Sequence, residues 1–269
     1  MKKRQSIPFP SIPKGLKALT DKEYWEDVWK NVKLPITTSP VQNHELDRIF
    51  RRLLPRSVSF IEIGCAPGSW MSYFAREFGY SVSGIEYAPM AAELTKRNLE
   101  YLNIPAEIFT EDFLSYKFKK KYDVVFSGGF IEHFDKPLEV IGRIVDITNP
   151  NQGIVITIIP TVPGVNKWVS KIFRPKVAAK HFTITLKELI AFYEAFNVKT
   201  VYAGYLGCLK ILVPIDKNEF AKKHELLTFL FNLPFRCWNK VIDTATRVLN
   251  VYPQIGVLST GILHIGKRT

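Results

Sequence analysis

Residues 57–75 read SVSFIEIGCAPGSWMSYFA: an apolar run carrying one carboxylate, a glycine-rich turn, then a helical pattern. A buried strand that stops at glycine and restarts as a helix leaves backbone N–H groups free at the helix N-terminus, a common way to hold a nucleotide. The turn EIGCAPG spaces Glu62, Gly64 and Gly68 as E-x-G-x-x-x-G. Gly64 permits the tight turn, and Gly68 lets the next helix pack closely. A dinucleotide fingerprint needs glycine where Ala66 stands, and a P-loop needs a Gly-Lys-Ser/Thr run; neither is present. Both phosphate readings weaken together.

The same alternation continues on both sides. YSVSGIEY is a second strand, PMAAELTKRNLEYLN a helix opened by Pro89, AEIFTED a third strand and YDVVFSGG a fourth. PLEVIGRIVDIT is helical and GIVITIIP is a fifth strand. Strands separated by helices of this length imply parallel βαβ units under helices on both faces, and the near-continuous Val/Ile content agrees. Upstream, TDKEYWEDVWKNV opens at Thr20 or Asp21 and sets Tyr24, Trp25, Val28 and Trp29 at helical spacing; NHELDRIFRRLL is a second amphipathic helix. Downstream come the helix TLKELIAFYEAF and the strands VKTVYAGYLG and GVLSTGILHIG. Between those strands, residues 217–250 are expected to form two helices broken near Pro234.

In an open α/β sheet, ligands bind at the carboxyl ends of the strands, near the switch point. Strand two ends in Glu86 and Tyr87, and a carboxylate there accepts both hydroxyls of an unphosphorylated ribose. Strand three runs into TEDFL, where Asp112 is placed to accept from an exocyclic amine and Phe113 to flank a purine. Strand four ends in SGGFIEHF, with Ser127 and Gly128 small enough for a ligand to approach the backbone. A single acid after a strand is often only a helix N-cap. Four strands ending in suitable groups, in order, are much harder to dismiss.

On these residues, the stretch 57–160 resembles the class I S-adenosylmethionine-dependent methyltransferases. The resemblance implies a Rossmann-like seven-stranded sheet, last strand antiparallel, with helices on both faces. It implies S-adenosylmethionine as cofactor: the methionine part along Glu62, Gly64, Cys65, Ala66 and Gly68, the ribose at Glu86 and Tyr87, the adenine at Asp112 and Phe113, and the methyl near Ser127 and Gly128. The EH pair ending in His133, and His181 in AAKHFTITLKEL, resemble a branch that includes quinone-biosynthesis and surface-glycan enzymes. Both histidines are candidates to deprotonate or orient an acceptor, which that branch implies is a glycan, a lipid-linked sugar or another small anionic molecule methylated on oxygen. A related RNA-end branch binds a metal through acid-x-x-acid-His-x-x-His. Here Gly129 and Lys136 occupy the second acid and second histidine positions, so no metal is expected.

Charge is divided unevenly along the chain. Residues 1–60 carry 12 Lys/Arg and 6 Asp/Glu, residues 61–160 carry 9 and 13, and residues 161–269 carry 16 and 6. The basic flanks suit an anionic substrate, a nucleic acid or an anionic membrane. Base-directed signatures are missing, both Asn/Asp-Pro-Pro-aromatic after strand four and a Pro-Cys nucleophile, so nucleic acid is the less expected partner. Residues 217–250 combine Phe229, Phe231, Phe235 and Trp238 with Lys222, Lys223, Arg236, Lys240 and Arg247. That composition suits peripheral contact with a membrane interface, or a cover over the sheet edge.

No run reaches the roughly 18 apolar residues of a spanning helix, and the basic, proline-rich start does not read as a signal peptide. Cys65, Cys208 and Cys237 form no framework, so a cytoplasmic protein, with possible attachment to the membrane's cytoplasmic face, is the default. The expected organisation is a helical extension or lid over 1–50, a methyltransferase domain over 51–216 and 251–269, and a helical apolar and basic insertion over 217–250. A chain that keeps the fold and cofactor pocket without turnover is the reading from another class.

Overall fold

The computed structural model describes residues 16–160, 164–173, 175–213 and 224–269. Five strands run parallel: β1 (Ser59–Ile63), β2 (Ser81–Ile85), β3 (Ala106–Phe109), β4 (Val124–Gly128) and β5 (Ile154–Pro160). β6 (Val198–Leu206) and β7 (Gly261–Arg268) complete a seven-stranded sheet in the order β3-β2-β1-β4-β5-β7-β6, with β7 antiparallel to both neighbours. The chain winds outward from β1 to β3 and then returns to place β4 on the other side of β1. That reversal is the switch point, where a crevice opens at the strand ends.

Alternation along the strands divides the core between two faces. Phe60, Phe126 and Ile156 meet α2 (His44–Leu53), α3 (Ser69–Phe78) and α4 (Pro89–Tyr101) through Phe50, Phe74 and Leu99. Ile61, Val125 and Val155 meet α5 (Pro137–Ile147) and α8 (Leu186–Glu194) through Ile141, Ile144 and Leu189. α1 (Lys22–Trp29) is capped by the Asp21 side chain, which accepts from the Tyr24 N–H, so Asp21 rather than Thr20 is the cap. α6 (Val165–Phe173) and the short α7 (Pro175–Ala178) follow β5, and α9 (Glu225–Leu249) lies between β6 and β7.

Three sequence expectations change. α2 runs across the boundary placed between residues 50 and 51, and its Leu46 and Phe50 belong to the main core. β3 stops at Phe109, so Asp112 stands in the turn that follows it. The break expected at Pro234 does not occur: α9 is one helix of 25 residues with Pro234 inside. Proline removes the hydrogen bond to the carbonyl four residues earlier. Here that carbonyl belongs to Leu230, and both residues lie on the exposed side of the helix rather than against the domain. The expected insertion begins at 217, and its residues 217–223 lie outside the described residues.

Candidate active site

A cavity of about 380 Å³ opens at the carboxyl ends of β1, β2 and β4. Glu62, Gly64, Ala66, Glu86, Tyr87, Asp112, Phe113, Gly128 and His133 line it, so most of the residues expected from sequence converge there. Cys65, Gly68, Ser127 and His181 do not line it. Cys65 is fully buried, and its Sγ occupies the space 2.6 Å from where a Cβ on Gly84 would stand. It packs the turn onto β2, and burial pushes its thiol well above the usual range. Gly68 sits at φ +82°, and a Cβ there would press on Thr95 and Leu99 of α4 at 3.1 and 3.2 Å. Both residues therefore shape the turn from behind. Ser127 is fully buried, with an unpartnered Oγ among the described residues.

The carboxylates are held in different ways. Glu62 lies on β1 beside Gly84 in register, is buried, and has one oxygen, Oε2, without a hydrogen-bond partner among the described residues. Burial pushes its pKa well above the carboxylate range, the Met71 N–H opposes this, and nearby Glu86 adds to it. An arriving ammonium supplies the charge that lets such a group ionise. Glu86 Oε1 accepts from the Ala88 N–H at 3.0 Å; burial raises its pKa, and N–H groups of Ala88, Ala66 and Tyr87 hold the shift down. Gly64, at φ +68°, keeps the floor open, because a Cβ there would stand 3.0 Å from the Phe130 ring. Asp112 Oδ1 accepts from the Leu114 N–H at 3.0 Å, and Phe113 packs edge-on to Phe130 at 5.8 Å.

These residues fit S-adenosylmethionine. Glu62 Oε2, without a partner among the described residues, would take an ammonium, Glu86 would take a diol, and Phe113 beside Asp112 would take a base.

At the end of β4 the chain turns through Ile131–His133, and its two acid–base residues are buried. His133 Nδ1 lies 3.0 Å from the Lys180 carbonyl, which fixes the proton on Nδ1 and leaves Nε2 as the acceptor. The Phe182 N–H donates to the Glu132 carbonyl at 2.6 Å, and this tie brings His181 to a ring distance of 4.8 Å from His133. Burial, reinforced by His181, lowers the His133 pKa to about 4, and burial lowers that of His181. Burial pushes Glu132 up to about 8. Glu132, His133 and His181 offer ligand atoms within 4.8 Å of one another, the donor set of a divalent-cation site.

α1 completes the wall. The Leu19 N–H donates to the His133 carbonyl at 2.7 Å and the Lys17 N–H to Asp135 Oδ1 at 2.9 Å, pinning the entry to α1 over the β4 turn. Trp25 and Trp29 then line the cavity, and Trp25 meets the His133 ring edge-on at 5.1 Å. Lys180 Nζ sits 3.7 Å from the centre of the Tyr24 ring, tying the His181 segment to the same helix. The spacing of Tyr24, Trp25, Val28 and Trp29 signalled an apolar face and left open a lid over the pocket or simple packing; two of the four, Trp25 and Trp29, line the cavity.

Gly129 also borders a second cavity of about 350 Å³, at the ends of β5, β6 and β7. Its polar wall comprises Gln42, Asn43, His44, Glu45, Lys210 and Asp243. Glu45 Oε2 accepts from the Gly207 N–H at 3.0 Å, and His44 bridges the Tyr252 hydroxyl at 2.9 Å and Asp243 at 3.1 Å. Lys210 pairs with Asp243. None of these six was singled out from sequence as a site residue, because they come from the turn before α2, α2 itself, the loop after β6 and α9.

The family model described as methyltransferase domain matches residues 40–201. No curated protein matches the sequence. Among solved structures, a putative sarcosine dimethylglycine methyltransferase from Galdieria sulphuraria superposes with TM-score 0.60 at 12% identity, covering 92% of this chain and 98% of that one. Coclaurine N-methyltransferase bound to N-methylheliamine and SAH gives TM-score 0.57 at 13% identity, over 88% and 75% of the two chains. Geranyl diphosphate C-methyltransferase from Streptomyces coelicolor A3(2), in complex with Mg2+, geranyl-S-thiolodiphosphate and S-adenosyl-L-homocysteine, gives 0.57 at 14%, over 85% and 76%. At these identities the likeness is one of fold.

Proposed function

The chain belongs to the methyltransferase-domain family, whose cofactor is S-adenosylmethionine, and from that premise we propose that it methylates a hydroxyl of a glycan, a lipid-linked sugar or a comparable small anionic acceptor. The observation that carries this reading is the pairing of the two cavities at Gly129. One has the groups for the cofactor. The other presents donors and acceptors side by side, as an acceptor rich in hydroxyls requires, since each hydroxyl both donates and accepts.

S-adenosylmethionine brings an electrophilic methyl group with a neutral thioether as leaving group, so the protein's work is alignment and removal of one proton. Glu62 and Glu86 hold and orient the cofactor, with Asp112 and Phe113 at its base. Trp25 and Trp29 exclude water from one side. His133, neutral at pH 7 and with its Nδ1 proton committed to Lys180, receives the acceptor proton at Nε2. His181 packs beside it and keeps the site free of a competing positive charge.

A methyl-label transfer assay over sugars, nucleotide sugars, lipid-linked sugars, amines and RNA tests this. Label on a sugar hydroxyl is the expected result. Label confined to amines or RNA overturns the acceptor assignment, and absence of cofactor binding by calorimetry overturns the enzyme reading altogether.

A further inference from the structure

α9 is turned inside out. The side facing the domain is polar: Thr228 and Asn232 are buried, and Asn239 Oδ1 and Nδ2 pair with the Ile211 N–H and carbonyl at 2.8 and 2.7 Å. One turn further on, Asp243 engages Lys210 and His44. The side turned away from the domain carries the large apolar residues. Leu230 is 52% exposed, Val241 61% and Val248 73%, with Leu226 and Leu233 on the same side. A surface helix normally does the reverse. Contiguous apolar exposure on this scale marks an interaction site.

α6 extends the same surface. Phe173 contacts Phe231 of α9 at a ring distance of 5.8 Å, and α6 also exposes Trp168 at 67% and Ile172 at 50%. Basic residues border the apolar area: Arg236, Lys240 and Arg247 along one flank of α9, Lys167 and Lys171 on α6. The two acids of α9 do not interrupt it, since Glu225 is at the first turn and Asp243 faces inward.

We propose that α9 and α6 together form a docking face for an anionic lipid bilayer, with α9 lying in the plane of the interface. An apolar face bordered by lysine and arginine, with tryptophan at its margin, is the pattern of an interfacial helix. No described helix is long and apolar enough to cross a membrane, so the geometry is lying on the surface rather than spanning it. Charge favours an anionic surface over a second copy as the occupant, because among the described residues of α9 the flank of Arg236, Lys240 and Arg247 has Glu225 alone as an exposed acid to answer it in a symmetric pairing. Asp243, on the inner side of the docked helix, walls the second cavity and so sets that cavity beside the bilayer. The docking stands independently of which acceptor is methylated.

Co-sedimentation of the full chain with vesicles tests this, using phosphatidylcholine alone and phosphatidylcholine mixed with phosphatidylglycerol. Binding is expected on the mixed vesicles, weaker on the neutral ones, and reduced by salt. Arg236→Glu with Lys240→Glu should lower partitioning by at least roughly fivefold per charge at low salt. Leu230→Glu should abolish it while leaving the melting temperature near that of the parent, because Leu230 is 52% exposed. Absence of binding to either vesicle overturns the proposal. So does a concentration-dependent dimer that Leu230→Glu dissociates, which would assign the face to a second copy.

Discussion

The rings of His133 and His181 lie 4.8 Å apart at an interplanar angle of 58°, with His133 lining the cofactor cavity and His181 behind it. One sits at the end of β4 and the other between α7 and α8, and the two segments are joined by the Phe182 N–H to the Glu132 carbonyl and by His133 Nδ1 to the Lys180 carbonyl. Only His133 of the two lines the cavity, so in the proposed mechanism it is the one that takes the proton, while His181 packs against it from outside the lining.

Replacing His133 with alanine should therefore lower kcat by about 10²- to 10⁴-fold, the range typical of a lost general base. Affinity for S-adenosylmethionine, measured by calorimetry, should stay within about twofold. His181→Ala should give a smaller loss of kcat together with a shift of the pH–rate profile. A parallel fall in kcat and cofactor affinity would show that His133 only supports the fold.

Glu62→Gln and Glu86→Ala should act on the cofactor instead. Each removes a buried acceptor of charge-assisted or paired hydrogen bonds, so each should weaken cofactor binding by about 1–3 kcal/mol. Calorimetry reads the change directly. Unchanged affinity in either variant would remove that residue from the cofactor site.

Chelation distinguishes two uses of Glu132, His133 and His181. A general base requires no cation, so turnover after dialysis against EDTA should equal that of untreated protein. Loss of turnover that Mn2+ or Mg2+ restores would assign the three side chains to a metal instead.

Acid should destabilise the fold through His264, away from the active site. The ring is fully buried, stacks on Tyr193 at 4.4 Å, and has its Nε2 3.1 Å from Thr200 Oγ1; burial lowers its pKa to about 4. The folded pKa lies below the unfolded value of about 6.5, so between the two the unfolded chain binds the extra proton. The contribution is complete above about pH 6.5 and is lost as pH falls towards 4, up to about 3 kcal/mol. Denaturant melts at stepped pH should show this slope, and His264→Gln should reduce it, leaving the part that His133, lowered to the same value, contributes. An unchanged slope would place the acid sensitivity elsewhere.

Much of the fold was legible because its determinants are local. Val/Ile runs, a helix between each pair of strands and the glycines of EIGCAPG mark β1, α3 and the succeeding βαβ units without reference to the rest of the chain. That Glu62, Glu86 and Asp112 line one cavity follows the same local logic, since Glu62 and Glu86 stand at the ends of β1 and β2 and Asp112 in the turn after β3. Cys65 and Gly68 occupy the same turn, yet they face Gly84 and α4 rather than the cavity. A turn's sequence does not say which of its residues point forward.

Family and sheet were thus determined by the sequence itself, through periods of 2 and 3.6 residues and backbone constraints that act over a few positions. The tertiary structure alone decided the rest. It brought His181 to His133, set Trp25 and Trp29 over the cavity, joined a second cavity at Gly129 and turned the polar side of α9 inward. Each of these depends on which surface a segment meets. An amphipathic pattern fixes that a helix has two faces, while only the groups opposite, here Lys210, Ile211 and His44, fix which face turns in.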